Sequence, residues 1–492
     1  MAKGSYDVIV VGAGFGGSSC AGLLAKRGPK VLLLEKNARA GGKATTLSKK
    51  GFTYTAWVVI SAPTQGTLLE VVLKELGMEN KVELVAPGVN GSTYKTSSGK
   101  WVVGPQPSAG EVMDPNKMFD WLEVKEKDRE ESLRVMTELT MMSRQDIDAL
   151  NDISFADWLG RYKVAKGVYG FLLGPVSDGC FMVPADALAA SEGIRTLQDV
   201  FLRSGGVFCK GGFGKLADTY AEAVEANGGK VIMRARVERI TVEQGKVTGV
   251  VTDKGSFQAP IVVSNAGIQP TVLKLVGEEH FDKSYVNYVK GLVPSWGMMG
   301  TRYFLNRKVT DYPYGTIFTS DSPWSLEKWL KAKSGDLPED ITVWYEVPSN
   351  YDPDAAPPGK QMLMTGFWCP CDPQMTDKEK KRWWAKGEEM LFKVFPDMPK
   401  YIEAKEGYST RDVSALTRDQ VLPGQGGECI GLGQVVGQAG SHKPSAKAPI
   451  QGLFYVGTDA GGYGIGIHQA VDSGMNVANM VLRYHLMHQA MQ

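Results

Sequence analysis

Residues 6–43 constrain the fold more than any other stretch. Tyr6-Asp7-Val8-Ile9-Val10-Val11 is a short, β-branched apolar run, the pattern of a strand buried on both faces. Gly12-Ala13-Gly14-Phe15-Gly16-Gly17 follows at once, and Gly12, Gly14 and Gly17 give G-x-G-x-x-G spacing. The first glycine permits a tight turn and the second lets a diphosphate approach the backbone. The third lets a helix pack close to the strand. The spacing predicts that helix over residues 15–26, its N-terminal N–H groups and dipole directed at the phosphates. Arg27-Gly28-Pro29 stops it, and Lys30 to Leu34 is the next strand. Glu35 ends that strand, about 20 residues beyond the loop, where a carboxylate accepts from the ribose hydroxyls of an adenosine. A lone glycine motif is weak, but here every flanking part stands in the order the motif requires. The stretch predicts a cradle for the ADP half of a dinucleotide, with Phe15, Gly16 and Lys36 among its contacts.

The run continues as Ala40-Gly41-Gly42-Lys43. A Gly-Gly-Lys or Gly-Gly-Arg shortly after the acid resembles the flavoprotein form of the motif, seen in amine oxidases and phytoene desaturases. Nicotinamide dehydrogenases generally lack it. The resemblance implies FAD, with Gly42 and Lys43 in its site. It returns at Gly211-Gly212-Phe213-Gly214, which opens a helix reaching about Asn227. Gly228-Gly229 caps that helix. A strand at Val231-Ile232-Met233, a second from Val237, a hairpin turning at Asp253-Lys254-Gly255 and a buried strand at Ile261 to Ala266 follow. This order is similar to the phytoene desaturase family, and implies that Val237 meets adenine through its backbone. Gly452 to Asp459 reads as a last strand, and Ala460 to His468 as a glycine-rich turn into a helix from Gln469 to about Met487. The resemblance implies that Asp459 holds the ribityl chain and that Gly457, Gly466 and Ile467 close the flavin site. Upstream, His442-Lys443 stands where that family commonly has Arg.

The rest of the chain fits an FAD domain interrupted by another. At 492 residues there is length for two or three domains. The resulting fold class is α/β, a Rossmann-like FAD-binding domain with an inserted α+β substrate domain. The cofactor domain takes residues 1–104, 206–270 and 425–492, and the substrate domain 105–205 and 271–424. Leu68, Val71, Val72 and Leu76 predict a helix over 67–77, and 80–104 reads as paired strands turning at Ser97-Ser98-Gly99. The charge-dense stretch 123–134 reads as a solvated helix face. Val164 to Ala190 is apolar but too broken to span a bilayer. Its readings stay open: a buried helical core, or else the wall of an apolar substrate channel or a lip dipping into a membrane surface.

Balance of charge narrows the partners. Lys+Arg 55 against Asp+Glu 54 leaves +1, so no global field favours nucleic acid. Residues 1–5 carry no signal-peptide pattern, and no uncharged 18-residue apolar run exists, so a cytoplasmic protein is expected, with peripheral membrane contact open. The cysteines, Cys20, Cys180, Cys209, Cys369, Cys371 and Cys429, are scattered without metal-ligand spacing, and no metal is expected.

Two residues stand out near the expected reacting centre. Trp57 follows Gly51 to Ala56, which resembles the family stretch passing the flavin's reactive edge, although Thr55 replaces the usual acid; Trp57 flanks the ring or fills core. His468 opens the helix facing the flavin and is read as either a proton-passing imidazole or a capping one. The leading expectation is hydride transfer between flavin N5 and carbon–carbon bonds of a hydrophobic substrate, isoprenoids or carotenoids being what the resemblance implies. An amine or amino-acid oxidase, a redox-neutral isomerase and a non-catalytic prenyl-lipid carrier on the same scaffold are the alternatives. The electron acceptor (quinone, oxygen or another protein) stays open.

Overall fold

A computed structural model describes residues 6–106 and 114–490. The N-terminal strand–helix–strand unit is present as expected: strand β1 (Val8–Val11), helix α1 (Phe15–Lys26) and strand β2 (Val31–Leu34). Strands β3 (Lys230–Ile232), β4 (Ile261–Ser264) and β5 (Leu453–Tyr455) complete a parallel sheet in the order β5-β4-β1-β2-β3. β1 lies at its centre, Val8 to Val11 opposite Ile261 to Ser264 on one side and Val31 to Leu34 on the other. Helices cover one face and a three-stranded antiparallel sheet, Val237–Glu243, Lys246–Thr252 and Gly255–Gln258, packs on the other, so all four residues of β1, β2 and β4 are buried.

Helix α1 is buried from Phe15 to Ala25 because two further helices flank it. These are Phe213–Ala226 and the closing helix Gly466–Ala490, which starts three residues before the predicted Gln469. The helix predicted over 67–77 spans Leu68–Leu76, with the Thr67 hydroxyl accepting from Leu69 N–H and Gly77 left-handed at its end.

A seven-stranded sheet forms the second layer, in the order Ile402–Tyr408, Gly297–Leu305, Gln361–Cys369, Val343–Glu346, Tyr314–Phe318, Thr93–Lys95 and Trp101–Val103. The hairpin 93–103 was expected within the first cofactor segment; it hydrogen-bonds instead to Tyr314–Phe318. No local pattern distinguishes which sheet edge a short strand will join. Trp296, Trp324, Trp329, Trp368 and Trp383 pack as one cluster behind this sheet. A helical lobe, from Pro115–Trp121 to Ala190–Leu202, buries Phe119, Phe155, Trp158 and Ile194 against Phe318.

Residues 164–190 are buried helical core in their first helix, while Phe171, Pro175 and Val176 line a cavity. Helix Lys166–Leu173 buries Val168, Leu172 and Leu173 in the lobe, then widens at Pro175 into π-helical turns over Gly174–Phe181. The wide turns place Asp178 inside the protein, where Thr342 Oγ1 and Trp324 N–H donate to it over 3.1 and 3.4 Å. Burial pushes its carboxyl up to about 8, against the opposing pull of Lys328 and those donors. A carboxyl raised on folding stabilises the fold below its ordinary pKa, and that contribution is lost as pH rises toward 8. Between pH 5 and 8, wild type should therefore lose a few kcal/mol of unfolding free energy relative to Asp178→Asn. Parallel denaturation curves across that range would refute this role.

Candidate functional site

Loops at the C-terminal edge of the parallel sheet enclose a cavity of about 1380 Å³ that continues into the second layer. Its cofactor-side wall is built on backbone contacts. Gly12 N–H donates to Leu34 O over 2.7 Å, Gly41 N–H to Ala13 O over 2.9 Å, and Asn265 N–H to Val11 O over 2.8 Å. Together they draw the three loops into one concavity. Gly17 lies behind the wall: a Cβ there would sit 1.9 Å from Gly12 O, so only glycine lets α1 approach β1. The other residues expected to hold the cofactor line the cavity: Gly12, Gly14, Phe15, Gly16, Glu35, Lys36, Gly42, Lys43, Val237, Gly457, Asp459, Gly466 and Ile467.

Glu35 is 5% exposed at the end of β2. Its Oε2 accepts from Ala13 N–H over 2.8 Å and Oε1 from Asn37 N–H over 2.7 Å. Burial pushes its carboxyl up despite these donors. Lone pairs remain on both oxygens for further donors. Lys36 and Arg236 stand beside it, each paired with Asp419. Asp419, which also holds Lys274, is pulled down to about 2, its cations outweighing burial.

Asp459 is held by protein donors on both oxygens. Oδ1 accepts from Leu432 N–H over 3.0 Å, and Oδ2 from Ile268 N–H over 3.1 Å and from the Arg418 guanidinium. Burial, which alone would raise its pKa, is outweighed chiefly by Arg418, and the carboxylate stays ionised. Lys43 is buried beside this pair; its Nζ donates to Ile430 O over 3.1 Å, and burial lowers its pKa.

The wall at Trp57 is fixed from the second layer. Trp57 lines the cavity at 2% exposure and packs its ring 5.8 Å from that of Tyr408. The Arg302 guanidinium, held between the rings of Tyr54 and Tyr408, donates to Ala56 O. Val59 N–H donates to buried Glu346 over 2.9 Å. Thr55, in place of the expected acid, accepts from Phe213 N–H over 3.3 Å.

His468 sits apart from the other expected site residues. Gly466, Ile467 and Ala470 face the cavity, but His468 is not part of the wall among the described residues. At 100° per residue it falls on the helix face turned toward Leu68–Leu76, where Nε2 accepts from Leu68 N–H over 3.3 Å. Burial lowers its pKa, which keeps the imidazole neutral and able to accept. His442 is remote, ion-paired with Asp152 at 2.9 Å. Asn265, Arg236, Arg418 and Asp419 were not singled out beforehand. Asn265 had a signal in the Ser264-Asn265-Ala266 run closing β4; Arg418 had none.

The glycine-lined edge of a parallel sheet with an acid closing the second strand defines a dinucleotide-binding protein of the α/β class. The match to the model for flavin containing amine oxidoreductases spans residues 15–482, and the chain belongs to that family. It is an FAD-dependent oxidoreductase related to phytoene desaturases. Human all-trans-retinol 13,14-reductase is 24% identical over 98% of this chain and 86% of its own. Phytoene desaturase of Neurospora crassa is 26% identical over 73% of this chain and 65% of its own. An oxidoreductase from Methanosarcina mazei shares the fold, with a TM-score of 0.71, 20% identity and coverage of 96% of this chain and 100% of that one.

The cavity edge fits FAD. A Cβ on Gly14 would lie 2.7 Å from Asn265 Nδ2 and would fill the concavity, and Glu35 presents free lone pairs within it. Removing that carboxylate in Glu35→Ala should weaken FAD binding about 10- to 100-fold, the range for lost charge-assisted hydrogen bonds, in a flavin-fluorescence titration. His468→Gln should keep turnover within about threefold, and His468→Ala should cost about 0.5–1.5 kcal/mol of stability. A histidine depressed on folding loses stability as pH falls below its ordinary value near 6.5, so the wild-type melting temperature should drop there more than that of His468→Gln. A turnover loss of a hundredfold in His468→Gln would restore the catalytic reading.

Proposed function

We propose that this chain catalyses hydride exchange between FAD and carbon–carbon bonds of an uncharged, isoprenoid-like substrate. One observation carries the reading. Among the described residues, every charged one lining the cavity stands on the cofactor side: Glu35, Lys36, Lys43, Arg236, Arg418, Asp419 and Asp459. The arm entering the second layer is lined by Met118, Trp121, Phe171, Val176, Leu197, Phe201 and Phe318, with no charged side chain among the described residues. An ammonium substrate would find no carboxylate there among the described residues, and burying it unpaired would cost several kcal/mol. A polyene or prenyl chain loses water-exposed apolar area at about 25 cal/mol per Å². The names of the relatives, a retinol reductase and a phytoene desaturase, point to the same substrate class.

FAD, when bound, supplies the two-electron chemistry. The chain's own residues do the rest. Trp57 and Met182 border the arm, and the clamps from Arg302 and Glu346 hold residues 56–59 in place. The apolar wall excludes water and orients the substrate by shape. No helix among the described residues is long and apolar enough to cross a membrane.

The test is anaerobic mixing of the purified holoprotein, oxidised or reduced, with a polyene alcohol, a polyene hydrocarbon or a primary amine. Loss of flavin absorbance with the polyenes, or loss of polyene absorbance with the reduced protein, is expected. Bleaching by the amine alone would transfer the chain to amine oxidation. Leu197→Trp, which narrows the arm, should raise KM for the polyene at least about tenfold while FAD stays bound, since overpacking costs about 1–3 kcal/mol.

A further inference from the structure

Arg418 is 8% exposed and forms part of the cavity wall. Burying a guanidinium is costly unless its donors are satisfied. Asp459 satisfies Nη2, but Nη1 finds no acceptor among the described residues. An acceptor from outside the chain would complete it.

Its position identifies that acceptor. The guanidinium packs against Gly267, where a Cβ would lie 2.3 Å from Nη2. Gly267 is two residues beyond Asn265, the side chain that abuts Gly14 and Gly16 at the start of α1. Asp459 follows Gly457, whose Cα would lie 2.7 Å from a Cβ on Gly16. Arg418 shares the cavity wall with Gly14, Phe15 and Gly16 at the start of α1, where N–H groups and dipole already favour an anion.

We infer that Arg418 is a further anchor for the FAD pyrophosphate, oriented by Asp459 and acting alongside the N-terminus of α1. The inference rests on the reading that this end of the cavity holds FAD. It reassigns Asp459 from a direct cofactor contact to a positioning residue. It also links the two layers. Arg418 follows helix Thr410–Leu416, which belongs to the substrate block, and its loop is fastened on both sides. Asn37 Nδ2 donates to Leu416 O over 2.8 Å, and Lys274 Nζ to Asp419 over 2.7 Å. An anion at Arg418 would fasten the loop between them.

The test is FAD release from the full-length holoprotein on dilution, followed by flavin fluorescence, with visible spectra of the bound form. Arg418→Met keeps most of the apolar stem without charge, and Arg418→Lys keeps the charge. Release from Arg418→Met should be about 10- to 100-fold faster than wild type, with Arg418→Lys intermediate and the absorption maxima unmoved. Release unchanged in Arg418→Met, or as fast in Arg418→Lys as in Arg418→Met, would overturn the inference. Shifted maxima would overturn it too, placing the charge at the isoalloxazine. Should Arg418→Met fail to fold, release from Arg418→Lys at the wild-type rate supports the charge role, and release more than about 100-fold faster overturns it. Wild type that retains no FAD would overturn the underlying site reading.

Discussion

The structure depends on how closely α1 approaches β1. Gly17 stands so near the Gly12 carbonyl that no side chain fits between them. That approach aims the helix N-terminus at the sheet edge and brings Ala13 N–H within reach of Glu35. It also sets the floor on which the loops from β4 and β5 must pack. Asn265 and Gly457 meet at that floor, drawn together by strands distant in sequence. The cavity is a consequence of where the strands end, as in open parallel sheets generally.

From that edge the cavity changes character within one enclosure. The charged part is compensated internally: Glu35 by backbone N–H groups, Asp419 by Lys36, Arg236 and Lys274, and Asp459 by Arg418. The apolar part comes from the helical lobe and the second sheet. Such segregation allows a polar dinucleotide and an apolar substrate to share one space without either being buried against the wrong surface.

The parts of this arrangement that were legible in sequence are those fixed locally. Strands at 8–11 and 31–34, the helix at 15–26 and the terminal Glu35 follow from periodicity and glycine spacing within a single stretch. Lys43, Val237 and Asp459 were found by resemblance, which transfers position but not partners, and Asp459 proved to be engaged by protein. Arg418 carried no local signal, because its meaning comes from Asp459 and Gly267, neither of them near it in sequence. The position of His468 off the cavity wall has a geometric cause. Proximity in sequence to a cofactor loop does not fix a helix face, and a two-residue step from Gly466 turns a side chain by about 200°. The hairpin 93–103 was misassigned for a related reason: its pairing partner lies more than 200 residues downstream.

That last pairing bears on how the chain reaches its structure. β1 needs β4, β4 needs β5, and the hairpin 93–103 needs the strand at Tyr314–Phe318. Neither sheet is therefore complete when its first strands leave the ribosome. Early apolar strands must wait with open edges while hundreds of residues are translated, and contacts so distant in sequence close slowly. The interwoven order that places an apolar arm beside a dinucleotide site also makes assembly of the two layers a late and mutual event.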